Sequence, residues 1–268
     1  MDRINGLNTI DIGSGRRGFR GRNAIAGVAG TEVKAAWLNG VQEELMAVIE
    51  AAGLTPSDAD LAQLLKAISK LGSRMLVVSA TGVTNWTVPA GVYSVLAEVW
   101  GAGGGSGGTS NGAVAGGASG WYRAGPVDVT PGDVIAITVG AGGTAGNGAP
   151  TAGGNGGSSS FGSAITSVGG RGSNGASSGT GGGVTAPLSG GAGGSLVIPG
   201  APGSPGLVIG GTPVGAAGGG SFCSAVSIAL SVSTGFGASY PGGGANGAGG
   251  STNAAGAAGA NGLVIVTY

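Results

Sequence analysis

Apolar residues recur at helical spacing over residues 31–74 and at strand-like spacing beyond. In "TEVKAAWLNGVQEELMAVIEAAG", Trp37, Val41, Leu45, Val48 and Ala52 share one stripe, with Leu38 and Ile49 beside it. That spacing predicts an amphipathic helix. Thr31 is placed as its N-cap with Glu32 in the first turn, and Gly53 as its C′ stop. "TPSDADLAQLLKAISKLG" predicts a second helix, with Thr55 as N-cap, Pro56 at N1 and Asp58 at N3. Leu61, Leu64, Leu65, Ile68 and Leu71 form its apolar face. The two make an αα-hairpin over 31–74, too small to bury much core alone and expected to need partners, most simply copies of itself.

Five later segments are rich in β-branched and aromatic residues: 85–89, 92–100, 133–139, 225–232 and 263–268. In 92–100, Val95, Ala97 and Val99 face one side, and Leu96 and Trp100 the other. In 225–232, Val226, Ile228, Leu230 and Val232 alternate with Ser or Ala. Between these strands glycine recurs every third residue. Gly244, Gly247, Gly250, Gly256, Gly259 and Gly262 follow this period with Asn253 in the gap, as do Gly140, Gly143, Gly146, then Gly169, Gly172, Gly175, then Gly200, Gly203, Gly206.

Composition sharpens this division. Residues 1–74 hold 9 Lys/Arg and 8 Asp/Glu; the rest of the chain holds only Glu98, Arg123, Asp128, Asp133 and Arg171. Of the 66 glycines, 56 lie after residue 74. The chain therefore reads as an extended arm (1–30), a helical hairpin (31–74) and a glycine-rich domain (75–268). The arm, with "GSGRRGFRGRNAIAG", carries RG pairs that suit RNA, but nothing else here is basic and a solvated arm docking on protein is preferred. A Gly/Ser-rich chain is usually a flexible linker. The strands, the strand at the end of the sequence and the period of three argue for order instead. Period three matches a left-handed helix with three residues per turn and no internal hydrogen bonds. Collagen is excluded, because it needs an unbroken G-X-Y run and much proline, and only 11 prolines are present. The expected fold is mainly β, with packed polyglycine-II helices in the C-terminal domain and a small α-helical N-terminal segment.

Catalysis is not expected. There is no His, so no Ser-His-Asp triad or histidine metal site, and a single Cys, Cys223, read as a small buried hydrophobe. Beyond Asp133 the only charged side chain is Arg171. A glycosidase pair drawn from Glu98, Asp128 and Asp133 is outweighed by their reading as turn and edge positions. The many GxGxxG-like matches follow from glycine content and lack a strand-turn-helix setting. No cofactor or metal, no nucleic acid and no membrane insertion are expected; no signal peptide is recognisable.

Two stretches carry a resemblance. "GFRGRNAIAGVAGTEVKAAWLNGVQEELMAVIEAAGLTPSDADLAQLLKAI" resembles the N-terminal segment of tail-fibre proteins of tailed phages and prophages. "TNWTVPAGVYSVLAEVWGAGGGSGG", "GWYRAGPVDVTPGDVIAITVGAGG", "GGSSSFGSAITSVGGRG" and the final "GLVIVTY" resemble, in that order, the glycine-rich C-terminal domain of tail-fibre adhesins. The resemblance implies a virion protein made in the host cytoplasm. Residues 1–74 would attach to phage baseplate or tail proteins. Phe19, Trp37, Val41, Leu45, Leu64, Leu65 and Ile68 would serve attachment and oligomerisation, with a homotrimer as the usual fibre state. The glycine-rich domain would bind a bacterial outer-surface receptor, protein or glycan.

Three inserts interrupt the glycine pattern: "APLSGG" (186–191), "SLVIPGAPGSPGLVIGGTPVG" (195–215) and "SFCSAVSIALSVSTGFGASYPGG" (221–243). Leu196, Val197, Ile198, Leu207, Phe222, Phe236 and Tyr240 are the candidate receptor-binding residues, read as an apolar, aromatic tip. For Val226–Val232 core and tip readings stay open. Trp86, Trp100 and Trp121 are expected in the core rather than as sugar-stacking platforms. The competing functional classes are a structural or ice-binding glycine-helix protein and a fibre glycan hydrolase.

Overall fold

A computed structural model describes residues 3–72, 74–176, 185–226, 232–250 and 252–268. The chain divides into two compact units, residues 1–73 and 74–268.

The first unit holds a two-stranded ribbon, β1 (Ile10–Asp11) and β2 (Arg17–Gly18), then helices α1 (Ala35–Ala51) and α2 (Gln63–Leu71). α1 starts later than expected. Lys34 stands at its N-cap without a side-chain cap bond. Thr31 instead ties the arm together: its Oγ1 accepts from the Arg20 N–H at 2.7 Å and donates to the Asn8 carbonyl at 2.8 Å. The C-terminus follows the expected chemistry. Gly53 takes a φ of 66°, and its N–H donates to the Glu50 carbonyl while that of Leu54 reaches Ile49. α2 begins eight residues after Thr55, because 55–62 is folded as a turn held by the buried Gln63. The Gln63 side chain accepts from the Ser57 N–H and donates to the Ser57 carbonyl. The helices meet through Ile49, Ala52 and Ala67. The small Ala67 allows the close approach, which leaves the expected apolar face of α2 outside: Leu61, Leu65, Ile68 and Leu71 are exposed and only Leu64 is half-buried.

The second unit contains β3 (Met75–Val78), β4 (Gly82–Thr87), β5 (Ser94–Trp100), β6 (Tyr122–Asp128), β7 (Val134–Val139), β8 (Ser159–Phe161), β9 (Ile165–Ser167), β10 (Leu196–Ile198), β11 (Leu207–Ile209), β12 (Thr212–Val214) and β13 (Leu263–Thr267). One sheet has the order β10-β6-β5-β13-β3 and a second β4-β7-β8-β9. All their pairings are antiparallel. The core lies between them. Val95, Ala97, Val99, Val264 and Val266 of the first sheet meet Trp86, Ile137, Val139, Phe161 and Ile165 of the second. The inward set of β5 is the expected one. Its other face buries Trp100 with Tyr122 and Leu263, and exposes Leu96. In the 225–232 segment, Ala225, Val226 and Val232 lie outside any strand, and residues 227–231 fall outside the described residues.

Most of the glycine belongs to neither helix nor sheet. Segments run side by side, bonded through their backbones, and 101–109 is the central one. Its N–H groups at 102, 105 and 108 donate to carbonyls at 157, 154 and 151; those at 103, 106 and 109 donate to 260, 257 and 254; those at 101 and 104 donate to 121 and 118. Its carbonyls accept from 143 and 146, from 170, 173 and 176, and from 245. Every third residue thus serves the same neighbour, and donors and acceptors together reach six neighbouring segments. This accounts for the backbone groups that a sheet would otherwise pair. Gly103 shows why the residue type is required. A Cβ there would fall deep inside van der Waals contact with the Gly243 carbonyl. Where side chains occur in the central segment they are small and fully buried, as with Ala102, Ser106 and Thr109.

Candidate binding surfaces of the glycine-rich unit

The bonded segments leave the sheets at one end and turn back at the other. Segment 101–109 runs outward from β5 and 112–121 returns to β6; 140–147 runs out from β7 and 151–158 returns to β8. At the far end, the Gly108 N–H donates to Thr151, that of Thr109 to Ala254, that of Gly112 to Gly250 and that of Ala216 to Val114. These bonds bring the connections 110–111, 147–150 and 207–213, together with residues 252–253, to one end, opposite the sheets. Residue 251 lies outside the described residues.

The proposed tip residues divide between the two ends. Leu207 belongs to the far end, in the hairpin β11–β12. Gly210 and Gly211 form its two-residue turn with φ of 57° and 83°, as a twist-matched hairpin turn requires. Pro213 sits opposite Val208, one pair from the turn, where no ladder N–H is needed. Leu207, Val208 (42% exposed) and Ile209 (55% exposed) are turned to solvent, while Pro213 and Val214 are buried. Val208 and Ile209 were not among the sequence candidates. The Gly-Gly between two short apolar runs was the available signal.

Leu196, Val197 and Ile198 are not a tip loop. They form β10, paired with Ala124, Arg123 and Tyr122 at the edge of the first sheet. Ile198 packs on the Trp100–Tyr122 cluster. Phe222 also lies at the sheet end: its ring is 4.4 Å from that of Tyr122 and its carbonyl accepts from Trp100 Nε1 at 2.9 Å. Tyr240 is tied to the same region, because Ser221 Oγ donates to the carbonyl of Pro241. Phe236 lies along the side, its carbonyl accepting from the Asn246 N–H. Phe222, Phe236 and Tyr240 are all exposed, but they share no site with Leu207. Cys223, expected to be buried, is exposed with a φ of 61°.

Of the tryptophans, Trp86 and Trp100 are buried. Trp121 is half-buried, donates from Nε1 to the Leu188 carbonyl at 2.6 Å, and lies beneath the Arg123 guanidinium at 5.7 Å. Arg123 also donates to the carbonyls of Gly190 and Gly193, so the 188–194 strap is held by its backbone. Glu98 and Asp128 lie four ladder positions apart on β5 and β6, about 13 Å along the strands. That is wider than the roughly 5–9.5 Å between paired glycosidase carboxylates. Glu98 Oε1 instead accepts from the Tyr122 hydroxyl at 2.6 Å. Burial, then that bond, push the Tyr122 hydroxyl well above the ordinary tyrosine range.

The folded chain thus holds the Tyr122 proton more tightly than the unfolded chain. This contribution to stability is full below about pH 10, the ordinary tyrosine value, and is lost as pH rises beyond it. Tyr122→Phe is expected to shrink the fall in urea midpoint between neutral and strongly alkaline pH. An unchanged alkaline slope would contradict the assignment.

Residues 78–268 match the family model described as the glycine-rich domain. The chain belongs to that family. No curated protein matches the sequence.

Proposed function

We propose that the chain is a phage tail-fibre adhesin. Residues 74–268 bind a bacterial surface receptor, and residues 1–73 attach the protein to the virion and to copies of itself. In this reading the laterally bonded glycine segments are polyglycine-II helices. Their period of three and the threefold sharing of hydrogen bonds by segment 101–109 support it. At about 3.1 Å per residue, such a segment would hold its far-end connections roughly 25 Å from the sheets.

The observation that carries the function is the gathering of connections at one end of a rigid array, with an apolar hairpin projecting among them. Varied loops on a rigid scaffold are the usual arrangement for recognition. An exposed run of Leu207, Val208 and Ile209 costs solubility unless a partner covers it. The greasy surface favours a protein receptor. Fluorescently labelled full-length chain, incubated with a panel of bacterial strains, is expected to label a subset. The signal should vanish in mutants lacking one outer-surface component. Labelling of none, or of all strains alike, would overturn this reading.

A further inference from the structure

Helix α1 carries charge against its own dipole. A helix N-terminus favours anions and a C-terminus favours cations. α1 has no acidic residue in its first turn and no basic residue in its last. Residues 3–34, leading into it, hold six cations (Arg3, Arg16, Arg17, Arg20, Arg22 and Lys34) against Asp11 and Glu32, a net charge of +4. Residues 35–71 hold Glu43, Glu44, Glu50, Asp58 and Asp60 against Lys66 and Lys70, a net charge of −3.

Each end also carries an open apolar cleft. Beside the start of α1 a cleft of about 470 Å³ is lined by Ile4, Ile12, Phe19 and Trp37 together with Arg3 and Arg17. Beside its C-terminal half a cleft of about 480 Å³ is lined by Leu45, Met46, Leu61 and Leu64 together with Asp58 and Asp60. Asp60 also bridges Lys66 at 2.7 Å, so its carboxylate is held at the rim. Trp37 and Ile49, one from each cleft, are twelve residues apart on α1, about 18 Å along its axis. Among the residues lining the clefts, large apolar side chains are exposed, Ile12 and Phe19 at the basic end, Leu45 and Leu61 at the acidic end.

We propose that residues 1–73 associate head to tail with a second copy of this chain. The arginine-bearing arm of one copy seats on the acid-rimmed cleft of the next. The contact covers exposed apolar surface on both sides and brings each end of α1 the charge its dipole favours. One end of the chain complements the other, so the interface is heterologous and closes into a ring when the rotation per copy permits. The proposal deepens the self-association reading of this unit by naming the surfaces and their chemistry.

The test is the solution mass of the full chain by light scattering, at low and high salt. The unmodified chain is expected to exceed one chain's mass at low ionic strength and to fall towards it as salt screens the pairing. Arg17→Glu alone and Asp58→Arg alone should each give single chains at low salt, and the two combined in one chain should restore assembly. Circular dichroism of each variant checks that the helices persist; the salt titration of the unmodified chain needs no substitution. An assembly indifferent to salt and to both single reversals would overturn this interface and leave self-association standing. A single-chain mass under every condition would overturn both.

Discussion

Replacing Gly103 by alanine is expected to unfold, or come close to unfolding, the glycine-rich unit. Gly103 lies in the central segment, donates its N–H to Ala260 at 2.8 Å and gives its carbonyl to the Gly143 N–H at 2.9 Å. The added methyl group would run into the backbone carbonyl of Gly243, which no rotamer change can move. Relief would require separating two bonded segments. Overpacking a well-filled interior costs about 1–3 kcal/mol even when side chains yield. Here backbone bonds are lost as well, so a loss of at least about 3 kcal/mol is expected, in the range reserved for a named structural failure. Gly237→Ala is the matched control, because nothing lies within 4 Å of the position its Cβ would take. Thermal unfolding should show a large fall in Tm for Gly103→Ala and almost none for Gly237→Ala. Equal shifts would remove close segment packing as the reason for the glycine.

The second large effect is expected at the far-end hairpin. Val208→Asp combined with Ile209→Asp should abolish binding to receptor-bearing cells and leave thermal stability nearly unchanged. Both side chains are about half exposed and lie outside the core clusters, so the substitutions give up only part of their burial. The turn glycines, the ladder to β12 and the buried Pro213 and Val214 are untouched. Two carboxylates at an apolar contact would be desolvated without partners, which costs more than the loss of contact alone. Phe236→Ala with Tyr240→Ala is the instructive comparison, since neither residue belongs to the far end. That pair should leave binding intact.

The alternation of Val95, Ala97 and Val99 was legible because both faces of β5 are set by large neighbours, the sandwich core on one side and Trp100 with Tyr122 on the other. β6 was hidden by Gly125 and Pro126 inside it. Pro126 is tolerated because β10 pairs only with residues 122–124, so the proline lies beyond that partner. The three-residue strands β8 to β12 are too short to show a period. For that reason the two "LVI" runs read alike, though one is a sheet edge and the other a free hairpin. The glycine spacing announced close approach but could not say which segments meet. That is settled by the order in which the sheets send the chain out and take it back. In α2 the apolar stripe was plain in the sequence, but its partner was not the first helix. Ala67 makes that contact, Gln63 is buried against the Ser57 backbone, and Leu61, Leu65 and Ile68 are left exposed.

The far end of the glycine array is proposed as the receptor-binding surface. The most direct measurement is cell binding by the labelled full-length chain, compared with the Val208→Asp/Ile209→Asp variant on a strain that the unmodified chain labels. At least a tenfold loss of apparent affinity, about 1.4 kcal/mol, is expected, with a nearly unchanged Tm. Binding that survives in the hairpin variant but disappears in the Phe236→Ala/Tyr240→Ala variant would place recognition elsewhere and contradict it.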